Sequence, residues 1–152
     1  MSGLEPGAEL PALHVTPDRY LTARYAGASG DFNPIHLDDE FARSVGLPGR
    51  ILHGLYTMAL LARAQTDALG GPERLKRLTV QFRGFGVPEQ EIVISSTIKE
   101  RDGERVIVSA TAAQQGKALI RGATAELRVA HDGSERLPVV PMGDFPPAED
   151  AT

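Results

Sequence analysis

Apolar residues recur every three or four positions in the first half of the chain and at every second position in the second half, so helices should precede strands. A short extended segment is expected over Glu9 to Val15. Thr16-Pro17-Asp18 then reads as N-cap, N1 proline and first-turn acid, predicting a helix of about three turns with Leu21 and Tyr25 on one face and Gly27 as its stop. A loop follows, because Pro34 biases Asn33 out of the α region and Gly30 permits unusual dihedrals. A short helix is expected from Asp39 to Val45, stopped by Gly46, and Leu47-Pro48-Gly49-Arg50 makes a turn. From His53 onward, Leu55, Met58, Ala59, Leu61, Ala62, Gln65 and Leu69 predict a helix apolar on most sides, hence buried, closed by Gly70-Gly71-Pro72.

The period then changes. Leu78, Val80 and Phe82 alternate with Thr79, Gln81 and Arg83, and Ile92, Ile94, Ser96 and Ile98 with Val93, Ser95, Thr97 and Lys99, as half-buried strands do. Asp102-Gly103 signals a hairpin whose return strand turns Val106, Val108, Ala110 and Ala112 inward. Gln115-Gly116 leads into a last strand through Leu119, Ala123, Ala125, Leu127 and Val129. A meander of about four long strands wrapped around one apolar helix is an α+β arrangement. Residues 1–130 are expected to form one domain; residues 131–152, with four prolines and no periodicity, are expected to be a flexible tail.

At 152 residues the chain is long enough for one core that buries roughly two thirds of its unfolded surface. The net charge is 16 − 20 = −4 and 5% of residues are aromatic, which speaks against a nucleic-acid surface as the main function. The absence of cysteine excludes disulfides, thiolate metal sites and a cysteine nucleophile, and suits a reducing compartment. The N-terminal residues have neither a basic nor an apolar export region, and no stretch reaches the roughly 20 apolar residues of a membrane span. The expectation is a cytoplasmic protein with no membrane partner.

The candidate chemistry lies in Tyr25-Ala26-Gly27-Ala28-Ser29-Gly30-Asp31-Phe32-Asn33-Pro34-Ile35-His36, where a carboxylate and an imidazole share one turn-rich segment. Asp31 and His36 can hold one water between them for general acid and base work, or Asp31 can cap a turn while His36 is a satisfied loop histidine. Asn33 has no useful proton chemistry and is expected to tie the loop together around Asp31, with Gly30 supporting the turn. Gly54 should present a free helix-start amide to a ligand carbonyl, or simply allow close packing; His53 beside it is expected to position rather than react. A Ser29-His36-Asp31 triad lacks the nucleophile elbow, and Asp31, His36 and His53 lack a metal-binding spacing, so no metal is expected. His14 and His131 read as bystanders. Arg74, Lys76, Arg77 and Arg83 read as a solvated face or, alternatively, an anion clamp.

The same residues, with Leu37-Asp38, Phe41-Ala42 and Ile51-Leu52-His53-Gly54, resemble the hydratase 2 signature of MaoC-like dehydratases and (R)-specific enoyl-CoA hydratases, over about residues 8 to 130. The resemblance implies a hot-dog fold, a long helix wrapped by an antiparallel sheet. It implies Asp31 and His36 as catalytic pair and the Gly54 amide as holder of the thioester oxygen, in (R)-specific hydration of trans-2-enoyl thioesters or the reverse dehydration. Coenzyme A or the phosphopantetheine of an acyl carrier protein would be part of the substrate, with no separate cofactor. The partners implied are further copies, as a homodimer or larger, or a heterodimeric mate. Where some members have a hydroxyl-bearing residue farther along the central helix, this chain offers Ala59, Ala62 or Ala64. The rivals are a hot-dog thioesterase and a non-catalytic partner subunit.

Overall fold

The computed structural model describes residues 4–129; the expected tail and His131 lie outside the described residues. In chain order the elements are β1 (Glu9–Val15), α1 (Leu21–Ser29), a 3-10 turn (Pro34–His36), α2 (Asp39–Ser44), α3 (Gly54–Leu69) and a second 3-10 turn (Pro72–Arg74). Four strands follow: β2 (Leu75–Phe82), β3 (Ile92–Asp102), β4 (Arg105–Gln114) and β5 (Lys117–Arg128). One five-stranded antiparallel sheet, ordered β1-β3-β4-β5-β2, curves around α3, which touches all five strands.

The inward faces of β3 and β4 are those the alternation predicted: Ile92, Ile94, Ser96 and Ile98 are buried opposite Val106, Val108, Ala110 and Ala112. Small alanines on β4 and β5 leave room for the larger Leu60 and Leu61 of α3, so sheet and helix interdigitate. A polar pair lies within this packing: Gln65, fully buried, donates through Nε2 to Ser96 Oγ at 2.7 Å and to Leu61 O at 3.3 Å. Gln65 Oε1 accepts no hydrogen bond among the described residues, which is costly in a core. Ser96→Ala alone is therefore expected to cost about 1 to 3 kcal/mol, whereas Ser96→Ala with Gln65→Leu should leave stability unchanged or raise it. Thermal denaturation of the two variants decides; a double variant weaker than the single one would show that the polar pair stabilises on balance.

The sheet order differs from the expected meander. β3, β4 and β5 do follow one another, but β2 pairs with β5 rather than β3, and β1 adds a fifth strand beside β3. Alternation identifies strands and their inward faces but not neighbours across the sheet. The connection of residues 83–91 must consequently cross from one side of the sheet to the other, and in doing so it passes the N-terminal end of α3.

The first helix starts later and ends later than its signals suggested. Asp18 Oδ1 accepts from Tyr20 N at 2.7 Å and closes a turn ahead of the helix, while the Arg24 guanidinium, hydrogen-bonded to Asp18, holds its carboxyl below the usual carboxylate range. Pro17 is spent on another contact, its carbonyl accepting from Glu89 N at 2.6 Å. Gly27 lies within the helix; Gly30, at φ +77°, ends it and donates to Ala26 O. The long helix is also less uniformly buried than its composition implied, since Leu55 is 61% exposed and Ala59 faces outward.

Candidate active site

The loop that follows α1 is built from three successive side-chain-to-backbone bonds. Ser29 Oγ accepts from Asp31 N, Asp31 Oδ1 from Asn33 N and Asn33 Oδ1 from Ile35 N, each at 3.2 Å. Asn33 thereby caps the 3-10 turn that carries His36, and its extended backbone is the one a following proline favours. Ser29 is an acceptor in this turn and makes no bond to His36, so the triad arrangement is not formed.

A second segment meets this loop. Asp38 caps α2 through Glu40 N and Phe41 N, and Asp39 Oδ1 accepts from Arg50 N at 2.8 Å and Arg50 Nε at 3.3 Å, which fastens the turn leading into Ile51. The bond from the Arg50 amide holds the Asp39 carboxyl below its ordinary range. Ile51 O then receives His36 Nδ1 at 2.8 Å. A carbonyl oxygen only accepts, so Nδ1 carries the hydrogen and a neutral His36 turns its Nε2 lone pair the other way.

That lone pair faces Asp31: His36 Nε2 and Asp31 Oδ2 are 3.8 Å apart, with His36 7% and Asp31's side chain 52% exposed. The separation is too long for a direct hydrogen bond and suits a water that donates one hydrogen to each. His53 lies beneath. Its Nε2 donates to the Asp31 carbonyl at 3.0 Å, its ring stacks on His36 with centroids 3.8 Å apart, and Tyr25 packs against it at a tilt, 4.7 Å between centroids. His53 is 3% exposed and its Nδ1 has no partner among the described residues. It locks the Asp31 loop to the start of α3.

Asp31, His36 and His53 also present ligand-type atoms within 4.8 Å of one another. Stacked imidazoles aim their in-plane lone pairs side by side rather than at one point, and Nε2 of His53 is already bonded to Asp31 O. With Nε2 engaged, Nδ1 is the nitrogen that His53 has left for another partner.

Gly54 is the first residue of α3, and its amide finds no backbone acceptor among the described residues. Gly54, with the positive end of the helix dipole behind its amide, lines a cavity of about 160 Å³ together with His36 and Thr57. A Cβ at position 54 would come within 3.2 Å of the Phe82 ring, so the glycine also permits close packing there. Thr57, buried one helical turn along, and the Ile51 carbonyl were not anticipated; the first is legible from its spacing to Gly54, whereas a backbone acceptor has no sequence signature. Three of the four basic residues bond to nearby groups. Arg74 bonds Gly70 O, Lys76 bonds Glu73 O and Arg83 bonds Gln81. His14 pairs with Glu91 at the sheet edge.

A long helix wrapped by an antiparallel sheet, with a carboxylate-imidazole pair beside the helix N-terminus, defines a hot-dog protein. Residues 5–118 match the MaoC like domain, and the chain belongs to the MaoC-like dehydratase family. A solved MaoC-like dehydratase superposes with a TM-score of 0.79 at 34% identity, covering 83% of this chain and 41% of that one. R-Hydratase PhaJ1 from Pseudomonas aeruginosa gives a TM-score of 0.75 at 25% identity over 83% of both chains. Enoyl-CoA hydratase ChsH3 of Mycobacterium tuberculosis is 31% identical over 111 residues, which are 72% of this chain and 37% of that protein. The chain spans only 5% of the Aspergillus oryzae fatty acid synthase subunit beta, to which it is 35% identical over 97 residues.

Proposed function

We propose that the protein adds water across the double bond of trans-2-enoyl thioesters to give (R)-3-hydroxyacyl thioesters, or runs the reverse dehydration. The observation that carries this is the 3.8 Å Asp31-His36 pair beside an unpaired helix-start amide. Water held by Asp31 and His36 keeps a lone pair free for the β-carbon. Asp31 takes a proton as the new C–O bond forms, and the pair returns a proton to the α-carbon. Charge that develops on the thioester oxygen is met by the Gly54 N–H and the dipole of α3. Proton transfer and these fixed dipoles suffice for the step, so the proposal includes neither a metal nor a redox cofactor. The acyl group is carried by coenzyme A or by the phosphopantetheine of an acyl carrier protein.

The similarity to proteins named enoyl-CoA hydratase and R-hydratase supports the reading. Phe32, Leu55 and Phe82, all at least half exposed, surround the Asp31 and Gly54 segments, and we propose that a second copy or a related chain covers them. Another neighbour in fold is a chain of the ChsH1-ChsH2 complex. Among the described residues no helix is long and apolar enough to cross a membrane. The proposal places the enzyme in the cytoplasm, although one relative is named as a peroxisomal hydratase 2.

Stereochemistry and isotope test the reading together. One water presented from one face, with the carbonyl fixed by Gly54, should yield a single enantiomer. In heavy-oxygen water the label is expected in the 3-hydroxyl of the (R) product, read by chiral chromatography and mass spectrometry. Label appearing mainly in a free carboxylate would instead indicate thioester hydrolysis.

A further inference from the structure

The cavity at His36 and Gly54 shares two lining residues, the half-exposed Phe85 and the buried Leu119, with a second cavity of about 220 Å³. Leu119 is where the strand pattern breaks. The register of β5 against β4 shifts between Ala112↔Ile120 and Ala113↔Ala118, which leaves Leu119 as the extra residue of a bulge, buried next to Ile120. Bulges beside sites of chemistry re-aim a side chain in this way.

Phe85 is held from the other side. Its segment donates Arg83 N to Leu119 O at 2.8 Å, and Gly86 O accepts from Leu52 N at 2.8 Å. The buried Gln114 amide accepts from Val87 N and donates to Val87 O and Gln90 O, all within 2.9 Å. Gly86 fits because it has no Cβ, which would come within 2.9 Å of Leu52 and 3.2 Å of Leu119. Gln114 is thus spent on fixing the wall and offers little to a ligand.

We infer that Phe85 and Leu119 form a partition that sets the acyl length this enzyme accepts, and that it selects short chains. The inference rests on the hydratase reading above. Of the two ends of a thioester, the apolar acyl group is the one suited to a cavity walled by Ile51, Leu52 and Phe82, since the charged carrier retains its water outside. An apolar cavity of roughly 150 Å³ takes a six-carbon ring, so 160 Å³ accommodates a four-carbon enoyl group with its carbonyl. An eight-carbon chain needs more room than this cavity gives, and Phe85 and Leu119 are the residues that the cavity has in common with the second one.

The test uses the full chain with trans-2-enoyl-CoA substrates of four and eight carbons. Wild type is expected to prefer four carbons by at least about tenfold in kcat/KM, and Phe85→Ala to shift the eight-to-four ratio upward by a similar factor. Phe85→Leu, a milder change, should move it in the same direction, with the difference in KM larger than in kcat. Calorimetry with saturated butyryl-CoA and octanoyl-CoA reads the same partition without chemistry. A ratio that stays put in both variants, with four-carbon hydration intact, or a wild type that treats both lengths alike, overturns the partition and leaves the hydratase reading standing. Absence of hydration at either length, with the calorimetric preference shifting as expected, keeps the partition and removes the hydratase reading.

Discussion

Asp31→Asn is expected to lower kcat by about 10² to 10⁴, the usual worth of a positioned acid or base, with the melting temperature nearly unchanged. The asparagine keeps an Oδ1 that can accept from Asn33 N, so the loop retains the bond that shapes it. What disappears is the charge that takes the proton from water. His36 requires a more careful substitution, because its Nδ1 bond to Ile51 O joins two segments as well as orienting the ring. His36→Ala removes both roles. His36→Asn keeps a donor near the Nδ1 position and loses only the Nε2 edge that faces Asp31. A fall of the same size in His36→Asn, with folding monitored by circular dichroism, would assign the loss to chemistry. Turnover within a few-fold of wild type in both Asp31→Asn and His36→Asn would show that the pair does not carry the reaction.

Gly54→Pro is expected to lower kcat by about 10² to 10³, the effect of deleting one donor to a developing oxyanion. Proline is tolerated at the first position of a helix because the amide it lacks has no intrahelical acceptor. His53, at φ −63° and ψ 133°, already has the extended backbone that a residue before proline needs. The variant therefore removes the N–H and keeps the helix. Its ring meets Phe82, whose edge would lie 3.2 Å from a Cβ at this site, so Gly54→Ala is the matched control: it adds the same first carbon and keeps the N–H. A large drop in the proline variant with a small one in the alanine variant identifies the amide as the working group. Equal losses would mean that space beside Phe82, not the hydrogen bond, is what Gly54 supplies.

Much of this protein was legible along the chain. The inward faces of β3 and β4 follow from strict alternation, because a strand's side-chain period is two and one buried face admits only one register of apolar residues. The Asp102-Gly103 and Gln115-Gly116 turns are local chemistry: Gln115 and Gly116 both take positive φ, at 49° and 74°. The loop at Asp31 is equally local, since each of its bonds spans two residues. Its residue types and spacing mark Asp31 and His36 as candidates and, with Gly54 farther along, carry the resemblance to the hydratase signature.

Tertiary structure alone decided the rest. No spacing in the chain says that β2 lies beside β5, since strand neighbours are chosen by non-local pairing once the helix has been covered. That choice sends residues 83–91 past the start of α3 and makes Phe85 a wall of the cavity. The partner of His36 is the backbone carbonyl of Ile51, and every residue supplies a carbonyl, so the sequence contains no mark of it. Leu119 reads as an ordinary inward strand position until the bulge turns it toward the site. The chain by itself determines which groups are available and which faces are apolar, because those depend on neighbours two to four residues away. The distances between groups, and hence the reaction they perform, depend on contacts between residues far apart in sequence, which exist only when the sheet has closed around the helix.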